Sequence, residues 1–71
     1  METQKITAKI NGKLRELAGG TTVEEYIKSL GLNPRRCVAE INASAYNYDG
    51  FKNTVINDGD VLEIMSVVAG G

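Results

Sequence analysis

Between Thr22 and Gly31 the chain carries one amphipathic helix signal, and any fold open to it has to cover that helix. Thr22 and Glu25 stand three apart in a capping box, where each side chain serves the other's backbone N–H. Val23, Tyr26, Ile27 and Leu30 then fall at i, i+3, i+4 and i+7, a single apolar stripe. Glu24 and Glu25 lie at the positive end of the helix dipole, and Glu24 precedes Lys28 in the favourable i,i+4 order. Gly31 is a natural residue just past the helix end. One short helix in a chain of 71 residues has no second helix to pack on, so its stripe requires a sheet. A partner-binding use of that stripe would leave so small a domain without a core.

Strands are legible on both sides of the helix. Ile6, Ala8 and Ile10 alternate with Thr7, Lys9 and Asn11, the period-two pattern of a half-buried strand. Asn11-Gly12 is a strong hairpin signal, because both residues tolerate positive φ. Lys13 to Leu17 returns as the second strand, and the slip in alternation between Leu14 and Leu17 predicts a bulge or an early end. After the helix, Asn33-Pro34-Arg35-Arg36 leads the chain out. Cys37, Ala39 and Ile41 then share one face of a third strand. Asn42-Ala43-Ser44 turns the chain. Residues 45–57 read as an irregular connection, with Tyr46, Tyr48 and Phe51 as apolar anchors. Asn57-Asp58-Gly59-Asp60 is a turn. Val61 to Val68 is the last strand, with Leu62 and Ile64 on one face and Glu63, Met65 and Val67 on the other.

These elements define an α+β chain, a single domain over residues 1–71. The expected arrangement is a β-grasp: a mixed sheet of four to five strands with one helix packed across it. If the first and last strands are central and parallel, the chain end leaves from the middle of the sheet edge.

Composition narrows the function. The net charge is −1 and the only adjacent basic pair is Arg35-Arg36, which is no footprint for nucleic acid. Histidine is absent, removing the commonest general base and neutral metal ligand. One cysteine forms no internal disulfide, which fits a reducing compartment. Neither a signal-peptide pattern nor an apolar run long enough for a membrane span is present, so the expected location is the cytoplasm.

Local motifs offer little chemistry. Ala18-Gly19-Gly20 resembles a phosphate loop only superficially, since Thr21-Thr22-Val23 stands where Gly-Lys-Ser/Thr is needed. Asp58 and Asp60 suggest calcium, but the full loop with its closing Glu is missing. Cys37 is open to two readings, a packed strand residue or a nucleophile; Arg35-Arg36 before it are a weak electropositive hint of the second, but no histidine exists to activate it and the first is favoured. The aromatic residues of 45–57 are likewise open to two readings, pinning the connection to the core or stacking on a ligand.

The feature left unexplained is the ending, Val67-Val68-Ala69-Gly70-Gly71. Glycines lack a β-carbon and can thread a narrow channel with backbone angles closed to other residues. Residues 67–71 are expected to form a flexible tail. No charge occurs between Ile64 and Gly71, and Met65 with its neighbours offers an apolar footing beside the tail.

Taken together, Ile41-Asn42-Ala43, Phe51, Thr54-Val55, Asp58-Gly59-Asp60, Leu62-Glu63-Ile64 and Gly70-Gly71 resemble the ThiS family of ubiquitin-like sulfur carriers in thiamine (thiazole) biosynthesis. Asn11-Gly12 and Gly20-Thr21-Thr22-Val23 extend the resemblance to nearly the whole chain. The chain departs from it in three places. Tyr46-Asn47-Tyr48 stands where a Val-Pro-Arg-like run is frequent, Phe51 where Trp is, and Ala43 where Gly is common.

The resemblance implies a protein substrate rather than an enzyme. Gly71 would be the working residue, its carboxylate adenylated by a ThiF-type partner with ATP and magnesium. A sulfur donor such as a cysteine desulfurase persulfide would convert the adenylate to a thiocarboxylate, and a ThiG-type thiazole synthase would take the sulfur. Gly70, Ala69, Val68 and Val67 would serve tail recognition, and Met65 would belong to the partner surface. No bound cofactor or metal, no nucleic acid and no membrane is expected. The alternatives are a MoaD-like carrier for molybdopterin or another pathway, a ubiquitin-like modifier conjugated to lysines, and a non-covalent β-grasp interaction module.

Overall fold

The computed structural model describes residues 4–67. A hairpin opens the fold. Strand β1 (Lys5–Ile10) pairs antiparallel with β2 (Lys13–Ala18), joined at Asn11-Gly12, both in the left-handed region with φ of 52° and 82°. The pairing is one-to-one from Lys5↔Ala18 to Ile10↔Lys13, so the bulge expected from the Leu14–Leu17 slip does not occur. The slip has another cause. Leu17 faces the core opposite Ile6, whereas Leu14 lies across from Lys9 on the outer face and is 73% exposed.

Helix α1 (Val23–Ser29) starts as its sequence dictates. The Thr22 side chain accepts from Glu25 N–H at 3.1 Å, and Glu25 Oε1 accepts from Thr22 N–H at 2.9 Å. The end is a Schellman motif: Leu32 N–H donates to the Ile27 carbonyl and Gly31 N–H to that of Lys28. Val23 and Ile27 are fully buried and Tyr26 packs against the core. Leu30, the expected fourth member of the stripe, is instead the C-cap and is 46% exposed, because the helix ends one residue before it, at Ser29.

A 3₁₀ turn (Pro34–Arg36), capped by the Asn33 side chain, delivers the chain to β3 (Cys37–Ile41). Residues 45–57 are more regular than their sequence suggests. Strand β4 (Ser44–Tyr46) pairs antiparallel with β3, and α2 (Tyr48–Phe51) is a single turn capped by Asn47. Phe51 is fully buried, as an anchor should be, and Ile56 joins it in the core although no periodicity marked it. Tyr46, the third expected anchor, is 41% exposed on the edge strand.

The β3–β4 turn places Asn42 and Ala43 at φ of 50° and 76°. A β-carbon in the left-handed region costs about 1–2 kcal/mol, so Ala43 holds its turn under strain. Replacing Ala43 with Gly should raise stability by roughly 0.5–1 kcal/mol, after part of the relief is offset by glycine's greater freedom when unfolded. Urea unfolding would register this as a higher midpoint at unchanged slope. A lower midpoint would show that the alanine is unstrained.

Strand β5 (Val61–Ser66) completes a five-stranded sheet of order β2-β1-β5-β3-β4. It runs parallel to β1 and antiparallel to β3, the central parallel pair of a β-grasp. The strand ends two residues before the expected Val68, at Ser66, and Val68 lies outside the described residues. Asp58-Gly59-Asp60 locks the start of β5 against its neighbours. Asp58 Oδ1 accepts from Thr7 N–H at 2.8 Å, and Asp60 Oδ1 accepts from Asn42 Nδ2 at 3.0 Å. Both carboxylates are thus spent on donors of neighbouring elements, a backbone N–H of β1 and a side chain of the β3–β4 turn.

Candidate functional site

The geometry of interest lies where β5 runs out. Val67 follows the strand, half exposed, and its N–H donates to the Arg36 carbonyl at 2.6 Å. The root of the expected tail is therefore held, while Val68, Ala69, Gly70 and Gly71 lie outside the described residues.

Two surfaces meet at this root. On the outer sheet face, Met65 sits opposite Val38 in the β3–β5 ladder and is 52% exposed, where the sequence placed an apolar footing. Two pairs further from the tail, Glu63 faces Glu40 across the same ladder. At the end of the sheet is an open groove of about 530 Å³, lined among others by Arg35, Arg36, Val38, Asn47, Tyr48 and Val67. Sequence reading gave Arg35 and Arg36 no part beyond a weak electropositive hint beside Cys37. The pairing Cys37↔Ser66 is what brings them beside Val67.

Tyr48 organises one wall of the groove. Its hydroxyl donates to Glu24 Oε2 at 2.9 Å, tying α2 to α1. The Arg35 guanidinium lies 4.7 Å from its ring centroid and Lys52 Nζ 5.7 Å, so the aromatic face carries positive charge. The bond to Glu24, with lesser help from desolvation, raises the Tyr48 pKa above the ordinary phenol value of 10.0. The folded chain therefore holds this proton more tightly than the unfolded chain. Its contribution is complete below about pH 10 and is lost as pH rises through the folded value. Wild type should thus lose more stability between about pH 8 and about pH 11 than Tyr48→Phe does, measured as the drop in urea midpoint. Equal drops would mean that the hydroxyl bond carries no linkage.

Cys37 is 3% exposed, with its thiol directed to the Asn33 carbonyl at 3.4 Å, and desolvation raises its pKa. That setting suppresses the thiolate, so the packed reading of this residue holds over the nucleophilic one. Among the described residues no cluster of three or more His, Cys, Asp or Glu converges to hold a metal. No helix of the described residues is long and apolar enough to cross a membrane.

A five-stranded mixed sheet with a central parallel pair, a helix across it and a last strand feeding the chain end defines the ubiquitin-like β-grasp class. Comparison with known proteins narrows that class. The sequence pattern of the ThiS family matches residues 8–71, and the chain belongs to this family of ubiquitin-like sulfur carriers. The crystal structure of the thiamine biosynthesis protein ThiS from Geobacter metallireducens superposes with a TM-score of 0.74 at 25% identity, covering 93% of this chain and 100% of that one. A thiazole synthase of Paramagnetospirillum magneticum is 34% identical over 62 residues, which are 87% of this chain but only 19% of that protein. The protein ycf40 of Porphyra purpurea is 31% identical over 71 residues, the full length of both.

Proposed function

We propose that this protein carries sulfur for thiazole formation in thiamine biosynthesis as a thiocarboxylate at Gly71. The supporting observation is the coincidence of two features. The family match runs through to Gly71, and β5, pinned between β1 and β3, leads directly to the root of that segment at Val67.

The chemistry follows from the carboxylate. As an acyl donor it is inert, because its leaving group would be oxide. A ThiF-type adenylating partner would join a carboxylate oxygen to the α-phosphorus of ATP, with magnesium, releasing pyrophosphate. Sulfur from a persulfide, such as one made by a cysteine desulfurase, would then attack the carbonyl carbon and expel AMP. The resulting acyl disulfide would be cleaved by a thiol, which is oxidised as the thiocarboxylate leaves. The chain itself contributes no catalytic group in this scheme. It presents Gly70 and Gly71 to the partner's channel, with Val68 and Ala69 at its mouth and Val67 and Met65 on the docking surface.

A thiazole synthase is the proposed consumer of the sulfur, supported by the ThiS-like segment within the Paramagnetospirillum magneticum enzyme. The cytoplasm is the proposed setting, in keeping with a lone buried thiol. The test is intact mass after incubation with an adenylating enzyme, ATP and a sulfur donor. The expected gain equals the replacement of one oxygen by one sulfur, and an unchanged mass with an enzyme that loads a ThiS control would refute the reading.

A further inference from the structure

The groove beside Val67 has the makings of a docking site in its own right. Arg35 and Arg36 both line it and both are exposed. Among the described residues neither guanidinium lies in an ion pair, whereas Asp49, the carboxylate at the rim, is engaged by Lys52 at 3.5 Å. Arg35 is not a loose surface cation. It rests on the Tyr48 ring, and that ring is fixed by the Glu24 bond and by an edge-on contact with Phe51 at 5.8 Å. A guanidinium stacked in this way keeps its N–H fork free for a carboxylate and loses little side-chain entropy on binding. Val38 and Val67 supply an apolar floor next to the two charges.

The geometry points to this groove as the seat of an acidic segment of the adenylating partner, its Asp or Glu side chains on Arg35 and Arg36 and an apolar side chain against Val67. The inference rests on the carrier reading above and deepens it. Two arguments select this occupant. The charges are complementary to a carboxylate-bearing loop. The groove is also continuous with the tail root through the bond from Val67 N–H to the Arg36 carbonyl, so whatever draws in the tail passes over it. That bond uses backbone only, so exchanging the two exposed arginine side chains leaves it in place.

Steady-state kinetics of carrier adenylation by a ThiF-type enzyme, with the full chain as varied substrate, test the assignment. The Arg35→Glu/Arg36→Glu double variant should raise KM roughly tenfold or more with kcat within about twofold, and the difference should shrink as salt screens the pairs. Lys13→Glu/Arg15→Glu changes the net charge equally on the distant strand β2 and should leave KM unchanged. An unchanged KM in the arginine variant, or equal KM increases in both variants, would overturn the inference. A lower KM would also overturn it, by showing that the groove held the chain's own carboxylate. Loss of a concentration-dependent dimer in sedimentation, with KM unchanged, would do so in favour of a second copy. The carrier reading is judged separately, on whether wild type is adenylated at all.

Discussion

Deletion of Gly71 should abolish sulfur loading and leave unfolding unchanged. The two halves of this expectation have separate grounds. In the proposed mechanism loading requires a carboxylate set at the depth of the partner's adenylating centre, and shortening the chain by one residue would withdraw it by up to about 3.6 Å. A misplacement of even about 1 Å in a reacting group can cost about a hundredfold in rate. Stability depends on the core, and among the described residues its ten buried hydrophobic members lie between Ala8 and Ile64. The last described tie towards the tail is the bond from Val67, four positions before the deletion. Thiocarboxylate formation and the urea midpoint, measured on the same preparation, check both halves. A variant that loads normally would remove Gly71 from the mechanism, and one that unfolds would give the chain end a structural role.

The second large effect is expected at Phe51→Ala. Phe51 is fully buried, reaches the core from a single helical turn and meets the Tyr48 ring edge-on. Truncating a buried phenylalanine costs about 3–5 kcal/mol, a transfer loss plus the cavity left behind. Total stability of small domains begins near about 5 kcal/mol, so the variant should be largely unfolded at physiological temperature. It should therefore fail to load for want of a folded body, and a stabilising osmolyte should restore both folding and loading together. Urea unfolding and near-UV circular dichroism report the first, intact mass the second. A folded variant with a loss below about 1 kcal/mol would show that the site collapses around the cavity.

The parts of the fold that local chemistry dictates were open to reading. The Thr22–Glu25 box, the Val23–Ile27 spacing and Asn11-Gly12 each act over a few residues and appear as expected. So does the burial of Leu62 and Ile64 on one face of β5. Three features escaped because distant pairing decides them. β4 is only Ser44–Tyr46, too short for alternation to register, and it exists because β3 offers it an edge. The single turn of α2 is too short for a helical period and is held by the Asn47 cap and by Phe51 in the core. Leu14 looked like a break in alternation because a leucine on the outer face cannot be told from one facing inward by spacing alone.

The candidate site divides in the same way. Gly70 and Gly71 enter through the family resemblance and lie outside the described residues, whereas strand parity alone assigns Met65 its face. Arg35 and Arg36 could not be placed at the site, since their meaning comes from the β3–β5 register that brings Val67 alongside. A basic pair just before a strand is common. One stacked on a tyrosine at the exit of the last strand is a product of the tertiary fold.

One measurement tests the central claim most directly: fragment-level mass spectrometry of the protein after sulfur loading, to place the sulfur on a residue. A thiocarboxylate replaces an oxygen and falls on Gly71, whereas a persulfide adds a sulfur without losing oxygen and would fall on Cys37. The account predicts the exchange, confined to the C-terminal fragment that contains Gly71. Sulfur added at Cys37, with the Gly71 carboxylate intact, would contradict it.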